Sequence, residues 1–411
     1  MLSRIGYYCW AGPGTERIIK TKYFNPKIDK NSLFKSYDYE YLVKVKGIFG
    51  ITDAWISYSW GFSDKVEKED HEFTLKHLEN FKKLKIKTHA YLQGCNLVYE
   101  NFKDQDFWCR DEKNRLVTYY KGRKVTCVNN PNFRNFFRKR LSELVKQSFD
   151  GIYIDNIQMG QLGVPMPEGQ MPFVFAGCRC KYCQQEFKDK YKKEIPIDFE
   201  KDLETTKEYL NFRVDSINNF IAEASKTVHS KNKTFGTNSY DPKFNTRDVY
   251  GFDVDKIKEY QDYLLFENHA LSNDSIENEY INKITIKSKK PVFVVSYKYG
   301  IGFDKQFSQK DFNLIYSEVK NFKFYPVIKA SEYVTNNTWH NLFLDNLDAP
   351  NNGLKIKIEN KVNQTSLVTK ILRLKFVRKS IKNHYNQTYT LVMENRYIRP
   401  AMKLAYELVL H

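Results

Sequence analysis

Eight short apolar runs recur along the chain, each followed by a polar or amphipathic stretch. They read RIGYYCW (4–10), DAWISYSW (53–60), KTHAYLQG (87–94), GIYIDN (151–156), TFGTNS (234–239), YLLFEN (263–268), PVFVVSY (291–297) and YPVIKAS (325–331). Their length and their β-branched and aromatic content predict strands. Between them lie HEFTLKHLENFKKLKI, NFRNFFRKRLSELVKQSF, LNFRVDSINNFIAEASKTV and DFNLIYSEVKNF, whose apolar residues recur at helical spacing. Eight strands alternating with helices predict an α/β fold, a (β/α)8 TIM barrel over residues 1–345. A doubly wound open sheet shares the same alternation. No strand is followed by GxGxxG or GxxxxGK[ST], so the usual phosphate-cradling loops are not expected. After DNLDAPNNG (345–353) the pattern changes, and residues 346–411 are predicted to form a small C-terminal extension: the last barrel helix plus a further element.

Composition narrows the class. The 411 residues are 41% hydrophobic and 16% aromatic, enough for a large core. No run approaches the roughly 18–20 apolar residues of a membrane span. The opening MLSRIGYYCWAG has no apolar run of signal-peptide length, so a cytoplasmic location is expected, with secretion open if a leader has been removed. A net charge of +17 invites a nucleic-acid reading, but the lysines are spread along the chain and interleaved with apolar residues. Such dispersal predicts no specific nucleic-acid site. An anionic glycan or a charged cell surface fits the charge about as well, and the expected partner is an oligo- or polysaccharide, anionic or not.

Three of the seven cysteines crowd into GCRCKYCQQEF (177–187) as C-x-C-x-x-C. Three neighbouring thiols cannot all pair with one another, and a redox Cys-x-x-Cys needs no third sulfur. Structural zinc takes four thiolates, of which a tight turn supplies two or three. Cys127, in KGRKVTCVNNPNFRNFF, is the best candidate to complete a set with Cys178, Cys180 and Cys183; Cys95 and Cys109 stand in reserve. Free buried thiols are the alternative.

The order Cys127, Asn130-Pro131, Phe133-Arg134, strand 151–156, then Cys178, Cys180 and Cys183 resembles the zinc-containing β-galactosidases of glycoside hydrolase family 42 and related glycosidase-like barrels. The resemblance covers about residues 120–190 and implies a structural zinc on a glycosidase barrel. It departs at the catalytic positions. Those enzymes end the fourth strand in Asn-Glu and carry a nucleophilic Glu on the seventh, whereas here Ile157 follows Asn156 and VVSYKYG holds no carboxylate.

Chemistry in such a barrel sits at the C-terminal ends of the strands. Asp155 and Glu267 end two strands there, with Asp241 and Glu332 near two others. A helix cap or an ion pair would also account for such acids. As a pair they suit glycoside hydrolysis. Asp155 is then expected as nucleophile or base, and Glu267, after the apolar Tyr263–Phe266, as proton donor. Tyr58, Trp60, Tyr91, Gln93, Asn156, Asn238, Tyr240 and Tyr297 lie at other strand ends, with Arg123 and His269 nearby. Together with Glu332 they are the candidate sugar contacts. The expected function is an O-glycosyl hydrolase. The rival readings are a barrel that binds glycans or assembles without catalysis, and a basic nucleic-acid or membrane-surface protein.

Overall fold

A computed structural model describes residues 4–22, 34–120, 122–160, 177–199, 201–240, 246–268, 275–296 and 324–329. Eight parallel strands make the barrel: β1 (Gly6–Cys9), β2 (Asp53–Ser59), β3 (Lys87–Gln93), β7 (Gly151–Asp155), β8 (Thr234–Thr237), β9 (Leu264–Asn268), β10 (Val292–Ser296) and β11 (Tyr325–Lys329). Their order is β8-β7-β3-β2-β1-β11-β10-β9. The open ends meet through a parallel bridge from Asn238 to Leu265, so the sheet closes on itself. All eight strands fall on the eight runs predicted from the sequence, trimmed by one or two residues at their ends. The fold is the (β/α)8 barrel rather than the open sheet.

Helices span Gly12–Lys22, Tyr39–Phe49, Asp64–Lys83, Pro131–Leu144, Lys181–Tyr191 and Leu203–His229, with shorter ones at Thr246–Tyr250 and Val254–Ile257 and a further one at Ser275–Ser288. Asn130 caps the Pro131–Leu144 helix by accepting from Asn132 N at 2.9 Å, and Pro131 presets its first turn. That helix buries Phe133, Phe137, Leu141 and Leu144, four residues at a spacing of three or four.

The sequence reading placed no element between β3 and the helix beginning at Pro131. The structure puts an antiparallel flap there: β4 (Asn96–Val98), β5 (Thr118–Tyr120) and β6 (Arg123–Val125), paired in the order β4-β6-β5. Its strands are three residues long, too short to register as an alternating pattern.

The barrel interior is filled by aromatic rings. Tyr8, Trp55, Tyr91, Tyr153, Tyr263 and Phe293 are all buried in one cluster. Trp55 Nε1 donates to Tyr263 Oη at 3.1 Å, and Tyr8 Oη to Tyr153 Oη at 3.3 Å. Rings of this size fit only where the facing strand position lacks a side chain. A methyl group at Gly236 would lie 2.4 Å from the Tyr263 ring, and one at Gly6 would lie 2.6 Å from Trp55. Gly236→Ala should therefore lower stability by about 1–3 kcal/mol, as overpacked cores do. Urea unfolding measures this, and an unchanged midpoint would contradict it.

Candidate functional site

Asp155 ends β7 and is 3% exposed; Glu267 lies in β9 and is 6% exposed. Four donors converge on Asp155. Tyr91 Oη reaches Oδ2 at 2.6 Å, Asn156 Nδ2 reaches Oδ2 at 2.8 Å, Asn156 N reaches Oδ1 at 2.8 Å, and Asn238 Nδ2 reaches Oδ1 at 2.7 Å. All four are uncharged. The same Asn238 nitrogen lies 3.2 Å from Glu267 Oε1, so one amide spans both acids. The facing oxygens are therefore no more than about 6 Å apart.

Local backbone geometry creates this arrangement. Asn156 has φ 54°, the left-handed region that asparagine tolerates better than most residues. That turn folds its own N–H and side-chain amide back onto the preceding carboxylate. Tyr119, from the flap, donates to Asn156 Oδ1 at 2.7 Å and fixes which end of the amide faces Asp155. Asn238 makes an Asx turn: its Oδ1 accepts from Tyr240 N at 2.7 Å, which leaves Nδ2 toward the carboxylates. Tyr240 (φ 58°) donates its hydroxyl to Ile157 O at 2.6 Å and stacks on Tyr250 at 4.2 Å. Glu267 N in turn donates to Tyr240 O at 3.1 Å.

Burial pushes the Asp155 carboxyl up to about 6, and the charge of Glu267 adds to this; the bonds from Tyr91, Asn238 and Asn156 oppose it.

The aromatic rim is built by Trp60, which lies 4.8 Å from Tyr91 and 5.2 Å, edge-on, from Trp10. Gln93 Oε1 is 3.2 Å from Tyr91 Oη. Arg123 is buried on the flap and donates to Asn96 Oδ1 at 2.8 Å. Of the residues expected at the site, Tyr91, Gln93, Asn156, Asn238 and Tyr240 gather around Asp155 and Glu267, and Trp60 packs against Tyr91. Tyr58 does not join them. It stacks flat on His71 at 4.0 Å and meets Phe149 edge-on, in the layer between barrel and helices, because alternation from the interior Trp55 turns it outward. His269, Tyr297, Glu332, Asp241 and the 346–411 extension lie outside the described residues. Trp10 and Tyr119 were missed. Trp10 follows β1 as Trp60 follows β2, a signal that was available. Tyr119 depends on the flap and had none.

The second cluster lies beside the flap. Cys127 follows β6, Cys180 caps the Lys181–Tyr191 helix, and Cys183 sits in its first turn. The sulfurs of Cys127, Cys178, Cys180 and Cys183 all lie within 4.8 Å of one another, and all four residues are buried. Cys127 Sγ is 3.3 Å from Cys183 Sγ and 3.5 Å from Cys180 Sγ. These spacings far exceed a disulfide bond of about 2.05 Å. They bracket the edge of about 3.8 Å that a tetrahedron with Zn–S bonds of about 2.3 Å requires. Asn129 Nδ2 points at Cys183 Sγ from 3.6 Å. Burial pushes the Cys127 and Cys183 thiols up, a penalty that a bound cation would remove. The cluster can hold a metal. Cys109 donates instead to Thr126 O at 3.4 Å, and neither it nor Cys95 belongs to the four-sulfur group.

No protein-family model matches the chain, and no curated protein sequence does. Solved structures do. The barrel is similar to the glycoside hydrolase domain of PgaB (BpsB) from Bordetella bronchiseptica, with a TM-score of 0.56 and 9% identity over 84% of this chain and 99% of that one. It is also similar to the β-galactosidase of Bacillus circulans sp. alkalophilus, with a TM-score of 0.52 and 14% identity over 80% of this chain and 50% of that one. The β-galactosidase of Rahnella sp. R3 gives a TM-score of 0.52 and 13% identity over 79% of this chain and 50% of that one. The chain thus spans about half the length of these β-galactosidases. Its structural neighbours are TIM barrels of glycoside hydrolases, the class its cysteine and strand order resembles. No helix among the described residues is long and apolar enough to cross a membrane.

Because the Asp155 carboxyl is raised in the folded state, the native protein holds that proton more tightly than the unfolded chain. Its contribution to stability is complete below an unfolded value of about 3.9 and is lost as pH rises through about 6. Asp155→Asn carries no such charge. Relative to the wild type, it should gain stability between about pH 4 and pH 8. Paired urea unfolding curves at the two pH values test this, and a difference independent of pH would refute it.

Proposed function

We propose that the chain is a glycoside hydrolase that cleaves an O-glycosidic bond with Asp155 and Glu267, and that it holds a structural zinc. The observation that carries this reading is the buried carboxylate pair at the C-terminal mouth of the barrel, bridged by one amide. An acid kept only for stability would be matched to a cation. Every donor to Asp155 is neutral, which stabilises an anion without neutralising it.

The short separation favours a double displacement. Asp155 attacks the anomeric carbon and forms a C–O bond. The glycosidic C–O bond breaks, its electron pair passes to the leaving oxygen, and that oxygen takes the proton from Glu267. Water then attacks the same carbon and gives a proton back to Glu267, and the ester electron pair returns to Asp155. Trp10 and Trp60 would offer apolar faces to a sugar ring, while Gln93 would offer an amide for its hydroxyls. Cys127, Cys178, Cys180 and Cys183 would close the zinc with four thiolates, leaving no open position. The metal would act as a clamp on the flap and the following helix, outside the chemistry.

Asp155→Asn and Glu267→Gln should each lower turnover of a responsive aryl glycoside at least 10²–10⁴-fold without unfolding the protein. Azide should restore turnover to Asp155→Ala with inverted configuration in the product. Wild-type rates in both variants would remove the assignment.

Elemental analysis of protein prepared without added metal should find close to one zinc per chain. Cys178→Ser should lower both zinc content and Tm. A metal-free protein of unchanged stability would count against the clamp.

A further inference from the structure

We propose that Asn238 is the positioning residue that makes the two carboxylates a single unit, its one amide nitrogen giving a hydrogen to each and passing wholly to Glu267 once Asp155 is consumed. The inference rests on the two-carboxylate reading above.

The geometry leaves the amide little choice. Tyr240 N is a backbone donor, so the Asn238 atom 2.7 Å from it must be the carbonyl oxygen. The NH2 group is thereby aimed at Asp155 Oδ1 and Glu267 Oε1, at 2.7 and 3.2 Å. Asn238 is 3% exposed, so water does not compete for these hydrogens. Its backbone is held from both sides. Asn238 N donates to Ile154 O at 3.1 Å, and Ser239 N donates to Leu265 O at 2.8 Å, across the seam that closes the barrel. The side chain therefore emerges from a fixed point between the strands that carry the two acids.

Two hydrogens on one nitrogen have a chemical consequence. In the resting enzyme each hydrogen favours the ionised form of the carboxylate oxygen that accepts it. When Asp155 becomes a neutral ester, its oxygen is a poorer acceptor and the amide turns its strength to Glu267. Glu267 is then the carboxylate that must take a proton from water. Asn238 thus serves the second half of the reaction more than the first.

Other groups face the pair. The phenols of Tyr91, Tyr153 and Tyr240 surround Asp155, and Arg123 lies beyond Tyr91. Burial pushes all three phenols well above their ordinary value, so they stay neutral while the acids titrate. A step seen between about pH 4 and pH 8 belongs to the carboxylates.

The test uses the full chain labelled at Asp Cγ, Glu Cδ and the asparagine side-chain nitrogen, followed by NMR across that pH range without substrate. Asp155→Asn and Glu267→Gln identify the carboxyl signals. In the wild type, both Nδ2 hydrogens of Asn238 should exchange slowly and should shift together with the pair's titration. In Asn238→Ala and Asn238→Ser the upper step should move up by about one pH unit or more, since the two-hydrogen amide donor to the anions is lost. Asn238→Ser is uncharged and keeps an acceptor for Tyr240 N, so a shift there separates the shared hydrogens from any scaffolding role. On an aryl glycoside these variants should slow deglycosylation more than glycosylation, bringing the burst closer to one product per enzyme.

An Asn238 amide that ignores the titration in the wild type overturns the proposal, even if neither variant folds. So does an unmoved step in folded variants. Loss of turnover in Asp155→Asn and Glu267→Gln is a separate result. If those variants stay active while the amide tracks both acids, the catalytic assignment fails and the shared amide stands.

Discussion

The barrel closes between β8 and β9, and the carboxylate pair exists because it does. Thr234–Thr237 is a four-residue strand that would be an unpaired edge in an open sheet. Beyond it the chain bends, and the Asn238–Leu265 bridge with the Ser239 N–Leu265 O and Glu267 N–Tyr240 O bonds carries the ladder across. Those bonds bring the end of β9 beside the end of β7, with only the short strand β8 between them. A sheet left open at this seam would place Asp155 and Glu267 at opposite edges. Closure is possible because the interior can be filled: glycines at positions 6 and 236 admit Trp55 and Tyr263, and the rings occupy the lumen beneath the acids.

Buried acids elsewhere in the chain show what a structural carboxylate looks like here. Asp53, at the start of β2, would be raised by its burial. Bonds from His89 and Arg4 instead carry it well below the usual carboxylate range. Glu67 accepts from Arg140 at 2.6 Å and from Ser59, Trp60 N and Phe62 N, tying down the turn after β2. Both are matched to cations. Asp155 faces a second acid and has only neutral donors. The difference lies in the partners rather than in the end of the barrel, since Asp53 begins β2 while Glu67 ties down the turn that follows it.

Much of this was legible in the sequence for physical reasons. A parallel strand buried on both faces must be a compact apolar run, so all eight announced themselves, and an acid directly after such a run had to be at the mouth. Cysteine spacing was equally informative, since three thiols within six positions and a fourth before a helix that opens on Asn-Pro have few shared explanations. The flap was not legible. Three strands of three residues have no measurable period, and their order depends on pairing between residues as far apart as Asn96 and Val125. Tyr58 misled because a place near the strand end was read as a place at the mouth, whereas alternation from the interior Trp55 turns it outward.

The flap also connects the two clusters, which gives the cysteines a role beyond holding their own loops. Cys127 follows directly on the strand that carries Arg123, and Arg179, between two of the thiols, donates its N–H to Arg110 O at 2.7 Å in the flap's second arm. The same flap presents Tyr119 to Asn156 Oδ1 at 2.7 Å. Asn156 is strained into the left-handed region and supplies two of the four bonds to Asp155. A turn of that kind persists only if its surroundings hold it. A flap of three-residue strands has little intrinsic stability, so a metal held by the four sulfurs would fix its base and, with it, Tyr119 against Asn156. Such a clamp would act on the acid through geometry, at the far end of one short sheet.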